Sequence, residues 1–318
     1  MVDNNVAVAA IGGGTGLSTL LRGLKRYTNN LSAIVNVTDN GGSSGRLREN
    51  LDMLPPGDIR NCLLALADAE PILKKVFQHR FSAGSDLEGH NLGNLFLAAM
   101  TESLGFEGAL AAASKVLAVK GRVLPVTLEK LTLAAVFSDG CEIYGESQIA
   151  AHKGKIKKLR LEPSSSNAYP FAEQAILTAD IVAVGPGSLF TSILASLLVP
   201  GVTEAIRNSA ARKIYICNVM TEPGETDGFT ASDHLQAICN HLGESLFDTV
   251  IVNDGLPVSA SVLERYTIEE KFPVIPDIDK LKQFRVDVLA ANLLAPDELA
   301  WHEPDSLARL VLKSAHTR

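Results

Sequence analysis

The segment that most constrains the fold of this chain is Val6–Gly16, VAVAAIGGGTG. Small apolar residues run into three consecutive glycines, and the amphipathic run LSTLLRGLKRY follows directly. This pattern predicts a buried strand, a tight turn and a helix whose N-terminus opens out of the turn. Glycines let the backbone approach a ligand closely, and free N–H groups with the helix dipole favour an anion. The segment therefore predicts a site for a phosphate-bearing ligand.

Strand-like and helix-like segments alternate along most of the chain. Pro71 is expected to divide a helical run over 58–77, and two further helices are expected over 90–105 and 107–119. Later strands are predicted at 180–184, 213–220, 249–254, 272–276 and 286–294. Repeated βα units imply a mostly parallel sheet with helices on both faces. We therefore expect one α/β domain over 1–318 with a doubly wound sheet.

The middle of the chain has a different pattern. Residues of about 120–165 contain several β-type runs separated by DG and KG turn signals. This part of the sequence predicts a small antiparallel β insertion within the α/β domain. No internal repeat or low-complexity segment is evident.

The composition excludes several classes of protein. A formal net charge of -7 disfavours non-specific nucleic-acid binding. None of the four cysteines lies in a CxxC pair, so free thiols are expected rather than disulfides or zinc ligands. The N-terminal residues lack a basic segment, and no apolar run approaches the length of a membrane span. We therefore expect a cytoplasmic protein without a membrane span.

The first glycine loop, Gly12–Gly16, departs from the standard nucleotide motifs. The third glycine of a G-x-G-x-x-G fingerprint is replaced by Leu17 or Thr19, depending on where the motif is taken to begin. The loop also lacks the Lys of a Walker A motif. It predicts either a phosphate-binding turn of another kind or a tight βα turn without a ligand.

A second loop, TDNGGSSGR, follows the next predicted strand. Asp39 lies where an acidic residue can bond a ribose hydroxyl, and otherwise it is a simple turn residue. Gly41 to Gly45 can form an anion-binding nest, to which Arg46 and Arg48 would add guanidinium donors.

Further polar residues stand at predicted loop and helix junctions. Asp58 is a plausible N-cap, and Arg60 and Asn61 would follow it in the first helical turn. His90–Asn94 places a His and two amides before an apolar helix, and Gly185–Ser188 is a second strand–glycine–helix junction. After another strand, Glu222, Glu225 and Asp227 are either Mg²⁺ ligands or bases, or simply a solvated acidic loop.

Taken together and in this order, these motifs resemble the gluconeogenesis factor family. The matching pieces are GGGTGLSTLLRGLK, VTDNGGSSGRLR, LPPGDIRN, HNLGN, GPGSLFTS and VMTEPGETDGF with SDHL. The family belongs to the 2-phospho-L-lactate transferase (CofD-like) superfamily. The resemblance implies a Rossmann-like core and a bacterial cytoplasmic protein that supports cell shape and cell-wall synthesis on gluconeogenic carbon sources. It also implies a UDP-sugar ligand such as UDP-N-acetylglucosamine, while the related transferases hold a nucleotide diphosphate and a divalent metal.

The resemblance also implies site residues. Tyr266 matches an aromatic position near the nucleobase, where its ring would stack, although it could equally pack on its own helix. The candidates for catalysis are Asp39, Arg46 and Asp58, and no metal ligand is assigned. The other predicted ligand-binding residues are Gly13, Gly14, Thr15, Gly16, Asn40, Gly42, Ser43, Asn94, Gly187 and Ser188.

The chain departs from the family pattern at two places. Where the family commonly has Arg-His-Asp before the last helix, this chain has Trp301, His302 and Glu303. Trp cannot donate a charge-assisted hydrogen bond, but it can stack. Glu222 replaces a common Gln, and a carboxylate there disfavours a nearby diphosphate unless a metal intervenes.

Three functions remain open at this point. The first is a regulatory protein that binds a nucleotide sugar, with regulatory protein partners and a homodimer as further expectations. The second is a transferase acting with Mg²⁺ on a nucleotide-activated phosphorylated substrate, where electrostatic clamping can replace a nucleophile. The third is a binder of an NAD-type dinucleotide, which the position of Asp39 favours.

Overall fold

The computed structural model describes residues 5–255, 260–295 and 300–314. Within these residues, seven strands form one sheet in which every neighbouring pair is parallel. Its strands are β1 (Val8–Gly12), β2 (Leu31–Val35), β3 (Arg122–Pro125), β7 (Ile181–Val184), β8 (Arg212–Ile216), β9 (Thr249–Asn253) and β10 (Asp287–Ala291). Their order in the sheet is β10-β9-β8-β7-β1-β2-β3. The α/β class and the parallel sheet are as predicted.

The remaining described strands form the antiparallel sheet that the sequence predicts. They are β4 (Thr132–Phe137), β5 (Glu142–Tyr144) and β6 (Ile156–Glu162), in the order β5-β4-β6. β3 lies within the β-rich part of the sequence, but it pairs in parallel with β2 of the large sheet. The smaller sheet therefore begins only after β3.

Helices cover both faces of the large sheet. They are α1 (Gly14–Leu24), α2 (Gly42–Asn50), α3 (Gly57–Leu66), α4 (Pro71–Gln78), α5 (Leu92–Val116), α6 (Glu146–Ala151), α7 (Pro170–Leu177), α8 (Ala195–Leu197), α9 (Val202–Asn208), α10 (Ala231–Leu242), α11 (Ala260–Ile268), α12 (Ile278–Leu281) and α13 (Pro304–Ser314). A π-type helix, Leu189–Leu194, runs directly into α8, and a 3₁₀ turn, Lys282–Phe284, follows α12. As predicted, the helical run around Pro71 is divided, because Pro71 begins α4.

The large sheet separates two apolar cores. Along β1, Val8 and Ala10 join the core formed with α1, α3 and α13, whereas Ala9 and Ile11 join the core on the opposite face. This alternation follows from the two-residue period of a strand. The second core also contains Leu133 of β4, so the antiparallel sheet shares its apolar interior with the large sheet.

One predicted strand is wrong. Residues 272–276 form no strand, and Pro273 makes only an isolated bridge with Met220. The reason is that Pro273 and Pro276 lack the N–H groups that a continued ladder would need.

α5 is long and apolar enough to cross a membrane by length and composition alone, and the bent pair Leu189–Leu197 and Val202–Asn208 also passes that test. Gly105 interrupts α5 with φ 72° and ψ 167°, so it consists of two shorter helices, as the sequence predicts. In the bent pair, Phe190, Ile193 and Leu194 are buried in the core. The lack of a membrane span stays a prediction.

Candidate functional site

Two glycine loops, Gly12–Gly16 after β1 and Gly185–Ser188 after β7, meet at the point where the strand order reverses. β1 and β7 are adjacent in the sheet, and their connections leave in opposite directions, to β2 and to β8. The loops pack backbone against backbone, since a Cβ built on Gly16 would lie 2.3 Å from the carbonyl oxygen of Pro186. In open α/β sheets this switch point is where ligands bind. The two loops therefore converge where the sequence predicts a ligand site.

A pocket of about 300 Å³ opens beside these loops. It is lined by residues of α1, of the loops after β7 and β8, of α11 and the segment after it, and of the segment before α13. The lining residues are Thr15, Gly16, Thr19, Pro186, Gly187, Asn218, Val219, Met220, Thr221, Glu222, Tyr266, Lys271, Ala300, Trp301 and His302. Its position and its mixed polar and aromatic wall fit a small-molecule site.

Tyr266 forms an ordered wall of this pocket. The side chain is buried, and its hydroxyl accepts a hydrogen bond from the Ala300 backbone N–H at 3.2 Å. The ammonium of Lys271 lies 5.9 Å from the ring centroid, within cation–π range. Burial lowers the pKa of His302 to about 4, so its imidazole is neutral at pH 7. Lys271 is therefore the one formally charged cation among the lining residues.

Asn218 fixes the Gly185–Ser188 loop at the edge of the pocket. Its side-chain amide donates to the Gly187 carbonyl at 2.9 Å, and its side-chain oxygen accepts from the Gly187 N–H at 3.0 Å. Both backbone groups of Gly187 are held by the residue that follows β8 by two positions. This contact joins the ends of β7 and β8 into one rim.

A second polar centre lies on the other side of the Gly12–Gly16 turn. The Asp58 carboxylate accepts a hydrogen bond from the Gly14 N–H, and burial with the nearby charge of Asp39 raises its pKa to about 6. Burial, together with Asp39 and Asp58, raises the pKa of Glu146 to about 9. Glu146 also shares a hydrogen bond with Asp39. We call Asp39, Asp58 and Glu146 the carboxylate cluster.

Two more carboxylates lead from the carboxylate cluster towards the pocket. Glu225 is buried, and it accepts hydrogen bonds from the hydroxyls of Ser188 at 2.5 Å and Thr191 at 3.0 Å. Burial raises its pKa despite these bonds. Burial and the charge of Glu225 raise the pKa of the pocket residue Glu222 to about 7. An excess of buried acid therefore surrounds the glycine loops, which favours a bound cation or retained protons.

A hydrogen-bonded network supports the second loop. Asn94 donates to the Ser43 hydroxyl at 3.1 Å and accepts from Arg60 at 2.6 Å. The Ser43 hydroxyl also lies 3.2 Å from Nδ1 of His90. These side chains place the Arg60 guanidinium, whose charge lowers the pKa of Asp58, beside the carboxylate cluster.

The predicted site residues divide into three groups. Thr15, Gly16, Gly187 and Tyr266 line the pocket, together with Glu222 and Trp301. Asp39 and Asp58 belong to the carboxylate cluster, where Gly13 and Gly14 contact Asp58. The others make contacts elsewhere.

Several predicted residues are occupied by other partners. Asn40 binds Gln148 and the N–H of Ser147 in the antiparallel insertion. The exposed Arg46 donates to the Glu88 carbonyl oxygen at 2.6 Å, and Gly42 is exposed at the start of α2 with φ 46°. Ser188 binds Glu225.

The prediction that Asp58 caps a helix is wrong. α3 begins at Gly57, its N-cap is Pro56, and no side chain caps it. Asp58 lies inside the first turn, and its carboxylate accepts from Gly14 instead. The tight contact between Gly13 and Asp58 explains this, because a Cβ on Gly13 would lie 2.5 Å from Oδ2 of Asp58.

Sequence reasoning missed Glu146, Asn218 and Lys271. Glu146 follows Gly145, which adopts φ 94° after an edge strand of the insertion, and nothing in the local sequence marks it as part of a site. Asn218 could have been found, because it follows a predicted buried strand at the same edge of the sheet as the glycine loops. Lys271 reaches the pocket only through the tertiary fold.

The parallel sheet, the glycine turns and the pocket at the switch point together define a Rossmann-like α/β protein with a pocket at the carboxyl ends of its strands. The chain belongs to the CofD family, since the family model described as 2-phospho-L-lactate transferase CofD matches residues 8–294.

Within this family the chain is similar to gluconeogenesis factors. A gluconeogenesis factor of Halalkalibacterium halodurans is 48% identical over 315 residues, covering 98% of this chain and 97% of the relative. The gluconeogenesis factor of Bacillus subtilis is 45% identical, covering 96% of each. A crystal structure of a UPF0052 family protein from Bacillus halodurans has a TM-score of 0.93 at 47% identity, covering 97% of this chain and all of that one.

Proposed function

We propose that this chain is a gluconeogenesis factor that binds a nucleotide sugar of the UDP-N-acetylglucosamine type in the switch-point pocket. The observation that carries this proposal is the contact between the Gly12–Gly16 and Gly185–Ser188 loops next to the Tyr266 ring. In this arrangement the diphosphate lies against the loops and the nucleobase lies against Tyr266.

The local chemistry supports this orientation of the ligand. α1 begins at Gly14, whose N–H donates to Asp58, and no N-cap side chain binds the helix end. The next residues of the first turn, Thr15 and Gly16, line the pocket, so their N–H groups would meet phosphate oxygens at the positive end of the helix dipole. Lys271, which pairs with Glu269 at 2.8 Å, places an ammonium group in the pocket wall. Trp301, 42% exposed at the rim, offers a second aromatic face in place of the Arg common in the family.

A UDP sugar suits the pocket better than an NAD-type dinucleotide. The dinucleotide hypothesis needs Asp39 to bond a ribose hydroxyl. Asp39 instead accepts from the Gly41 N–H at 2.9 Å and bonds Glu146 in the carboxylate cluster, and it does not line the pocket.

Calorimetric titration with UDP-N-acetylglucosamine, UDP and NAD tests this proposal. We expect UDP-N-acetylglucosamine to bind more tightly than NAD. Tyr266→Ala should weaken binding about tenfold or more through lost stacking, and Tyr266→Phe should keep most of it. Tyr144→Ala, at an exposed tyrosine of the insertion, is the matched control. Absence of heat at millimolar ligand, or equal binding by the wild type and Tyr266→Ala, would contradict the proposal.

The cellular part of the proposal is support of cell shape on gluconeogenic carbon sources by a cytoplasmic protein. A deletion strain complemented by the wild type should grow with normal shape on such a source. The Tyr266→Ala variant should fail if nucleotide-sugar binding is what the cell needs. Full rescue by a variant that no longer binds the ligand would separate the cellular role from the pocket.

The carboxylate cluster favours a second candidate, a Mg²⁺-dependent transferase acting on an activated phosphorylated substrate. Oxygen ligands of this kind suit Mg²⁺, and the burial and mutual repulsion that raise the pKa values of Asp58 and Glu146 are unfavourable to carboxylate charge, which a cation would offset. Asp39 and Asp58 would hold Mg²⁺, which supplies charge neutralisation for a diphosphate when bound. Metal-dependent turnover of an activated phospholactate with a deazaflavin acceptor, lost in Asp39→Ala, would support this candidate; retained turnover would contradict the role of Asp39.

A further inference from the structure

Three side chains with metal-ligating atoms meet at the tip of the antiparallel insertion. Asp139 and Cys141 lie in the turn between β4 and β5, and His152 follows α6. One ligand atom from each lies within 4.8 Å of the other two. No residue of the carboxylate cluster belongs to this group, so the two are separate sets of residues.

Against the expectation from sequence that no cysteine is a zinc ligand, we propose that Asp139, Cys141 and His152 form a binding site for a transition-metal dication of the Zn²⁺ class. A thiolate, an imidazole and a carboxylate are the ligand set that Zn²⁺ accepts, whereas Mg²⁺ prefers oxygen ligands alone. Three protein ligands leave the fourth tetrahedral position to water.

The three ligand atoms already lie close together, and local contacts hold two of the side chains in place. Oδ1 of Asp139 accepts from the Cys141 N–H at 2.9 Å, which holds the turn and leaves Oδ2 facing His152 at 3.4 Å from Nε2. Nε2 is buried without a hydrogen-bond partner. The Phe137 ring fixes the imidazole in an edge contact with a centroid distance of 4.3 Å. Nε2 has only the 3.4 Å contact with the Asp139 carboxylate, and a metal held between the three side chains would satisfy it more fully.

Only a small closure is needed to reach ligating geometry. Tetrahedral Zn²⁺ holds its ligand atoms about 3.5 Å apart. The turn carrying Asp139 and Cys141 is exposed, so it can move inward without disturbing the core.

Metal binding at this site would affect the loop that carries Glu222 and Glu225, because that loop contacts the insertion next to His152. Gly224 in that loop packs on the insertion, because a Cβ there would lie 3.0 Å from the His152 carbonyl oxygen. The adjacent Lys153 pairs with Glu270 at 2.8 Å, next to the pocket residue Lys271. Metal binding would therefore stiffen the contact between the insertion and the pocket wall.

Cobalt substitution tests the site directly. The full chain, without an affinity tag and freed of metal by a chelator, is titrated with Co²⁺ and then with Zn²⁺. We expect a thiolate-to-cobalt charge-transfer band that Zn²⁺ abolishes and millimolar Mg²⁺ does not. Cys141→Ser should remove the band, and His152→Ala should weaken Zn²⁺ binding about tenfold or more. Cys239→Ser, at a half-buried cysteine of α10, should leave the cobalt band and Zn²⁺ binding unchanged.

The outcomes separate this proposal from the nucleotide-sugar proposal. Circular dichroism of each variant checks that it remains folded, and Zn²⁺ should raise the melting temperature of the wild type but not of Cys141→Ser. No cobalt band, or Zn²⁺ binding unchanged in both Cys141→Ser and His152→Ala, would overturn the site. Neither result depends on whether UDP-N-acetylglucosamine binds.

Discussion

At the scale of single residues, glycines allow the carboxylate cluster to approach the backbone. A Cβ on Gly13 would lie 2.5 Å from Oδ2 of Asp58, and one on Gly57 would lie 2.9 Å from Oδ2 of Asp39. Gly13 has φ −155°, an extended conformation open to any residue, so close packing and not backbone strain requires a glycine there. Contact with acidic side chains is therefore enough to require glycine at both positions.

Gly13→Ala should destabilise the protein by about 1–3 kcal/mol, because the new methyl group overlaps the Asp58 carboxylate. In an Asp58→Ala background the same substitution should cost at least about 1 kcal/mol less. Urea unfolding of the wild type, both single variants and the double variant measures this coupling. Strictly additive effects would show that the two residues do not make this contact.

The carboxylate cluster should make stability depend on pH. The pKa values of Asp58 and Glu146 are raised on folding, from 3.8 to about 6 and from 4.5 to about 9. The folded state therefore holds more protons than the unfolded state between these values, and stability falls as pH rises through them. Below about pH 3 both groups are protonated in both states, and the penalty disappears.

Glu146→Gln should consequently flatten the fall in stability between pH 5 and pH 9. Relative to the wild type, the variant should gain melting temperature at pH 8.5, by about 2 °C or more, and gain less at pH 5. The measurement is thermal unfolding in buffers with a chelator, with the exposed Glu102→Gln as control. An equal shift at both pH values would contradict the raised pKa of Glu146.

At the scale of elements, local signals set where helices begin and end. Thr230 and Asp233 form a capping box at the start of α10, and Gly243 closes that helix with φ 79°. The glycine turn before α1, the break at Pro71 and the break at Gly105 were all readable from sequence, because each depends on one residue's backbone preference. The strand predicted at 272–276 is absent: the prediction followed the apolar character of the segment, but its two prolines cannot donate the hydrogen bonds of a strand.

Thr230→Ala should cost about 1 kcal/mol, because it leaves the Asp233 N–H without its capping acceptor. Thr267→Ala, at an exposed position near the end of α11, should change stability by less than about 0.5 kcal/mol. Urea midpoints of the two variants provide the comparison. A loss at Thr267 as large as that at Thr230 would mean that capping does not explain the effect.

At the scale of the whole molecule, the antiparallel insertion and the large sheet share one core. Leu133 of β4 lies in the same buried cluster as Ile11 of β1 and Val184 of β7. The insertion also supplies Glu146 to the carboxylate cluster and Asn40's partners to the second loop. The described parts should therefore unfold together.

Calorimetry should find a single unfolding transition whose calorimetric and van't Hoff enthalpies agree. Leu133→Ala should lower stability by about 2–5 kcal/mol and shift that whole transition. Leu128→Ala, at a side chain that is 40% exposed, should have a much smaller effect. A separate low-temperature transition in Leu133→Ala would show that the insertion unfolds by itself.

The sequence by itself determined the βα rhythm, the parallel sheet and the glycine turns, because these follow from local periodicity and from the freedom of single glycines. The motifs and the family resemblance also predicted Thr15, Gly187 and Tyr266 as ligand-binding residues, and all three line the switch-point pocket. Only the tertiary structure decided that Glu146 joins Asp39 and Asp58 and that Lys271 reaches the pocket. Burial and charge proximity depend on which distant segments pack together, and no local pattern records that.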